Sequence, residues 1–361
     1  VDARVQAPAL SAISFALAAP PWSDPRVARP QDLEKILNSG REALERGAID
    51  RAETALADAQ GIAPHDRDVI LFGVAVALTN LDDEAAEEGL AALVDHHGDD
   101  PVALVAASSL VLDLDGDPEQ ALELVEEAVD MLDELAADPD EAELAEHLAR
   151  RAWPQLSSCR LACDDREGAL EAAETATQKF ADEVEGWLAL GHASFALCRL
   201  PEARAAFEKA GALDVENAEM PYCLGWVTRL MGDAAASEAA FRRAVEIAPD
   251  DFHVPLSFAA SDVQGAVKAA LDELDPELES LARGLPVVID ELPALTRDGD
   301  TAPTMLVSFD EAGEGAGRKP TRLHVYKRNV EVAARDLDAL VVVLTGAIGD
   351  ELVGFVDLEA V

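Results

Sequence analysis

Cys159 and Cys163 stand four residues apart, a spacing that puts both on one face of a helix, and paired thiolates can hold zinc when a second ligand pair accompanies them. No second pair does. Cys198 and Cys223 stand alone in segments that read as helices, where a free cysteine serves as a small buried apolar residue. The stretch DLDGDPE, Asp113 to Glu119, resembles a calcium loop, but its glycine is misplaced and the bidentate Glu of the twelfth position is missing. It reads instead as a turn, like LDDE at 81–84, CDDRE at 163–167 and GD at 232–233. GEGAG at 313–317 has the glycines of a phosphate cradle without a helix after it, so it reads as a hairpin connection. No histidine pairs with another at i, i+4, and His96 and His97 close a helix.

The elements that carry these residues belong to an apolar, highly acidic chain. Of 361 residues, 49% are hydrophobic, enough for two or three cored domains. Against 72 Asp and Glu stand 28 Lys and Arg, a formal net charge of -44. Such a surface repels phosphate backbones and anionic lipid, so neither nucleic acid nor a membrane is an expected partner. The acids are spread along the chain, as on solvated faces, and a salty environment would favour them. Four cysteines make no disulfide framework. The apolar stretch PALSAISFALAA at 8–19 is too short to span a bilayer and lacks a basic flank, and a cytoplasmic location is expected.

A period of 34 residues organises the middle of the chain. It relates Trp153, Trp187 and Pro221, then Leu156, Leu190 and Leu224. The same step links Ala169, Ala203 and Ser237, then Ala173, Phe207 and Phe241, then Ala176, Ala210 and Ala244. WLALGHASFALCRLPEARAAFEKAGALD has the residue order of a tetratricopeptide repeat, and the next unit ends in the expected Pro249. The chain thus resembles the tetratricopeptide family. Looser copies precede these: Gly40, Ala52, Leu56, Ala59 and Pro64 mark one at about 33–66, residues 67–100 a second, and Ala121, Val125 and Ala128 a third. An acidic insertion, DELAADPDEAELAEHLARR, either lengthens its flanking helices or places a turn at Asp138-Pro139. The expected architecture is mainly α: residues 1–32 as an N-terminal segment, then a solenoid of about six helical pairs over 33–251.

The resemblance implies a concave groove, lined by the first helix of each pair, that binds a protein or peptide. By repeat position its residues are Arg151, Ser158, His192, Phe195, Tyr222, Trp226 and Arg229. Two arginines and several aromatics in so acidic a chain suit a recognition surface. The alternative is that the chain's own C-terminal segment lies there. The Lys and Asn pairs with which chaperone-binding members clamp a carboxylate are absent from these positions.

Beyond Pro249 the rhythm stops. A helix is expected around 256–273, strands at 285–290, 304–309 and 322–327, and a last helix from about 335 to 353. This order, with ALDELDPEL, VVIDELP and a glycine-rich connection, resembles the minimal zincin-like metallopeptidase family, and covers 256–361 as a small α+β domain. In that family the last helix carries two histidines four apart as zinc ligands, with a Glu beside the first that polarises the metal-bound water. Here Gly346 and Asp350 occupy the histidine positions and Ala347 that of the Glu, while Ile348 and Gly349 are kept.

The expected protein is therefore a non-catalytic interaction scaffold with an inactive peptidase-like domain, no metal and no cofactor. Two alternatives stand beside it. One is a metal-dependent hydrolase rebuilt from Asp350, Asp357 and His324, with Glu359 near where a further ligand would come, and His324 otherwise reads as a satisfied strand residue. The other is a solenoid that only caps the C-terminal domain.

Overall fold

The computed structural model describes residues 31–294, 302–313 and 318–356. The stretch at 8–19, residues 314–317 of the glycine-rich connection, Asp357 and Glu359 lie outside them. Two compact units divide the chain between Ala193 and Ser194, inside helix α9 (Val184–Ala196).

The first unit holds four helical pairs: α1 (Gln31–Glu45) with α2 (Ile49–Ile62), α3 (Arg67–Thr79) with α4 (Asp83–His97), α5 (Pro101–Asp113) with α6 (Pro118–Ala137), and α7 (Ala142–Ala162) with α8 (Arg166–Lys179). The small residues of the repeat are the ones that touch. Ala52, Ala59, Ala121, Val125, Ala128, Ala169 and Ala173 are all fully buried. Gly40 allows a close approach between the first two pairs, since a Cβ there would lie 2.5 Å from the Phe72 ring and 2.9 Å from Ala55.

The turn inside each pair is built by one left-handed residue, followed in three of this unit's four turns by a capping acid and in the first by Ala48, which caps nothing with its side chain. In this unit the left-handed positions are Gly47, Leu81, Asp115 and Asp164. The caps are Asp82, Asp117 and Asp165, whose carboxylates accept backbone N–H bonds from Ala85, Glu119 and Gly168. DLDGDPE is thus a helix–helix turn. The first three left-handed residues keep the 34-residue step and the fourth comes fifteen residues late, which locates the insertion. It both lengthens α6 and α7 and turns the chain at 138–141.

Two first helices have no solvent face along most of their length. Every residue from Val102 to Val111 on α5 is buried, as are Arg67 to Phe72 and Val74 to Ala77 on α3. The charge carried into this interior is paired: Arg67 donates to Asp68 at 3.0 Å and to Asp100 at 2.7 Å.

The second unit contains the end of α9, α10 (Leu200–Leu213), α11 (Glu219–Leu230) and α12 (Ala234–Ile247), with Cys198 and Gly232 as its left-handed turn residues. A Cβ on Gly225 would fall 2.8 Å from the Phe241 ring, so only glycine lets α11 and α12 meet as they do. Ser237, where the repeat otherwise has alanine, donates its hydroxyl to the Gly225 carbonyl at 2.9 Å.

The same unit continues through a link at 248–259 into α13 (Ala260–Asp272), α14 (Pro276–Ala282), β1 (Val287–Asp290), β2 (Val307–Ala312), β3 (Lys319–Tyr326), α15 (Lys327–Ala333) and α16 (Leu337–Val353). The sheet order is β1-β3-β2, with β1 parallel to β3 and β2 antiparallel to it. Leu323 and Val325 of β3 bury one face of the sheet together with Val263 and Val267 of α13 and Leu340, Leu344 and Ile348 of α16.

The expected elements are present with shifted ends. The first helix starts at Ala260 rather than 256, the last at Leu337, and the strands begin two or three residues from their expected positions. Two short helices had no expected counterpart. Pro276 restarts a helix as α14, because its missing N–H suits a first turn, and α15 follows β3 without a loop.

Candidate functional site

The expected groove residues separate between the two units. Arg151 on α7 is half-buried, and burial lowers the pKa of its guanidinium against the pull of Glu185 and Glu183. Ser158, one repeat-face position further along α7, is exposed and donates to the Pro154 carbonyl at 3.2 Å. His192, also in the first unit, is half-buried.

In the second unit, Tyr222, Trp226 and Arg229 fall at i, i+4 and i+7 on α11 and so share one face. That face is covered by the chain itself. Tyr222 meets the rings of Phe252, in the link, at 4.8 Å and of Phe241 at 5.5 Å. Trp226 is buried, as is Phe195 on α9. Arg229 donates from Nη2 to Glu331 Oε2 at 2.6 Å and from Nε to the Arg328 carbonyl at 3.0 Å. Burial lowers its pKa and Glu331 opposes the shift.

Glu331 on α15 is the centre of this contact, and no repeat or motif singles it out in the sequence. Its side chain is buried, and its other oxygen accepts from the backbone N–H of Phe258 at 2.9 Å and from Lys327. One carboxylate thus ties the last repeat, the link and α15 together. The Lys327–Glu331 spacing of four was the one available hint, in a segment that reads as a strand end and a loop.

The face of the sheet opposite the core is polar. His324 sits in the central strand, with Nδ1 2.7 Å from Asp290 Oδ2 on β1 and Nε2 3.3 Å from Asp310 Oδ1 on β2. The Asp290 hydrogen bond raises its pKa, partial burial opposes this, and Asp310 adds to the rise. Beside it Arg322 donates to Asp310 at 3.1 Å, and the Ser308 and Tyr326 hydroxyls lie 2.7 Å apart. The imidazole is hydrogen-bonded to Asp290 through Nδ1 and faces Asp310 at ion-pair distance through Nε2, an arrangement for a cation between two carboxylates rather than a metal ligand.

The rebuilt hydrolase site does not assemble from the described residues. Asp350 is exposed on α16, whereas His324 points away from the sheet face that α16 covers. Neither belongs to a cluster of three described residues with ligand atoms close enough to hold an ion. Ala347 is buried among the core residues of α13, α16 and the sheet, and Gly346 is half-buried. A Cβ on Gly349 would make only ordinary contact with Leu274 at 3.6 Å, so that glycine is not imposed by packing. Cys159 and Cys163 likewise belong to no such cluster among the described residues, and burial pushes Cys159 up to about 12 and raises Cys163 as well.

A second feature lies on the other side of α11. A cleft of about 470 Å³ opens between α10 and the α11–α12 pair, floored by Phe207, Gly211, Met220 and Leu224. The sequence offered one signal for it, the apolar Val215 in the otherwise polar turn DVENAE, and Val215 is 66% exposed.

No family model matches the sequence, and no curated protein matches it. Among solved structures, the crystal structure of PilW, a widely conserved type IV pilus biogenesis factor, is similar over 62% of this chain and 96% of its own, with 13% identity and a TM-score of 0.50. Pseudomonas aeruginosa PilF aligns over 61% of this chain and 93% of its own, at 16% identity and a TM-score of 0.46. The Cut9–Hcn1 structure of the APC/C aligns over 67% and 44%, at 13% identity and a TM-score of 0.49. At such identities likeness concerns fold alone. Among the described residues no helix is long and apolar enough to cross a membrane. With six helical pairs, three before and three after the insertion, each set stepping by 34 residues, the chain has the fold of a tetratricopeptide-type solenoid followed by a small sheet-containing module.

Proposed function

We propose that this protein is a non-catalytic scaffold that binds a partner protein or peptide through its tetratricopeptide region, with residues 33–251 as the solenoid and 256–361 as a module that does no chemistry. The observation that carries the reading is the repeat itself. Six successive pairs keep their small contact residues buried, as in a surface built for recognition rather than a pocket built for reaction. The zincin-like resemblance of the module enters as a statement about its descent. Its support is the element order and the packing role of Ala347 and Ile348, both in the core at the positions where that family has its Glu and the next motif residue.

Affinity capture on the immobilised chain should recover a partner that then binds the purified chain saturably. Metal-dependent hydrolysis of an unselected peptide library that disappears in Asp350→Ala would overturn the proposal.

A further inference from the structure

Resting on the scaffold reading, we infer that the partner is seated in the cleft between α10 and the α11–α12 pair, and that it presents a basic, amphipathic segment whose apolar side chains enter the cleft. The first-helix face that the repeat pattern offers is taken at this end of the solenoid, where Arg229 is held by Glu331 and Tyr222 by Phe252. The cleft is open, and nothing among the described residues fills it.

Its depth comes from Gly211. A Cβ at that position would stand 3.3 Å from the Met220 Cβ and would narrow the floor. Pro221 and Ile247 continue the apolar lining, and exposed Val215 completes it. Apolar surface of this kind at the edge of a turn is what a recognition site needs and a solvated loop does not.

Charge selects the occupant. Asp214 stands among the lining residues, as does Glu208, which Arg204 holds at 2.7 Å. Arg243, the one cation among the described lining residues, has Nη1 3.3 Å from its own helix neighbour Glu246. Over the whole chain the formal charge is -44, a field that draws cationic segments and repels acidic ones. An amphipathic segment with Leu or Met at helical spacing and Lys or Arg between them satisfies both the floor and the rim.

The test uses the full chain and three fluorescein-labelled peptides: an amphipathic Leu/Lys helix, a scrambled peptide of the same composition, and a Leu/Glu counterpart. Fluorescence anisotropy should show saturable binding of the first that is at least about tenfold tighter than that of the other two. Ala212→Trp, which fills the cleft from an exposed helix position, should weaken that binding by about tenfold. Val215→Asp should weaken it as well. That result separates the two forces, because added negative charge would strengthen a purely electrostatic association. Unchanged thermal unfolding of both variants verifies the fold.

Equal binding of the helical and scrambled peptides, absence of binding, or indifference to both substitutions would overturn the cleft assignment. If a partner captured by the wild-type chain is captured equally by Ala212→Trp, the cleft fails while the scaffold stands. If the wild-type chain captures nothing, the scaffold fails.

Discussion

Arg229 on α11 and Glu331 on α15, 102 residues apart in sequence, meet at 2.6 Å with the carboxylate side chain only 4% exposed. The pair turns an expected recognition arginine into an internal tie. A buried ion pair of this kind contributes less to net stability than its geometry suggests, because both ions lose water, but breaking it by removing one partner strands a charge.

Arg229→Ala and Glu331→Ala should each destabilise the second unit by about 3 kcal/mol, the Glu331 change by more because Phe258 N–H and Lys327 lose their acceptor too. The Arg229→Ala, Glu331→Ala double variant should lose less than the sum of the two single losses, because neither charge then faces an absent partner. Urea unfolding of the wild type, the two single variants and the double variant as a double-mutant cycle measures this, and additive single effects would show that the two side chains do not act as a pair.

Leu81 holds a left-handed turn with φ at 56° while 87% of its surface is exposed. Its side chain therefore gains little to offset the backbone cost. Leu81→Gly should stabilise the first unit by roughly 0.5–1 kcal/mol, and Gly47→Ala, at an equivalent turn with φ at 68°, should destabilise it by a similar amount. The pair of melting temperatures checks the sign.

His324 should confer a pH-dependent stability. Its folded pKa lies above the unfolded value of about 6.5, owing first to Asp290 and then to Asp310 against the effect of burial. A raised histidine pKa stabilises the fold fully below the unfolded value, and that stabilisation is lost as pH rises through the folded value. Chemical denaturation should therefore show stability falling across that interval on the alkaline side of neutral histidine titration. His324→Gln should flatten the step, and its persistence would assign the effect elsewhere.

Cys159 and Cys223 should not react in the native protein. Burial raises both thiols, Cys159 to about 12, so almost no thiolate forms at a pH of about 8. Ellman's reagent should label them only after unfolding, with half-buried Cys163 and Cys198 reacting first. Rapid native labelling of Cys159 would contradict its place in the core.

Much of the solenoid was legible because a repeat is stabilised by near neighbours. Ala203, Phe207 and Ala210 are buried by the adjacent helices, so their spacing alone reveals the helix pair. The turns were legible for the same reason, since a left-handed residue and an Asp cap act over a few positions. Helix α15 was not, because it runs straight on from β3 and its value to the fold lies in Glu331 reaching α11. Nor could the repeat pattern foresee that α3 and α5 are enclosed on all sides, since periodicity marks one apolar face and says nothing of what covers the other.

By itself, then, the sequence determined the helical pairs, their turns, the acidic surface and a last helix without histidine. Only the tertiary structure decided which surfaces stay uncovered. Availability depends on contacts between segments far apart in the chain: Glu331 takes Arg229 out of the groove, while Gly211 and Met220, brought together across a turn, leave a cleft open.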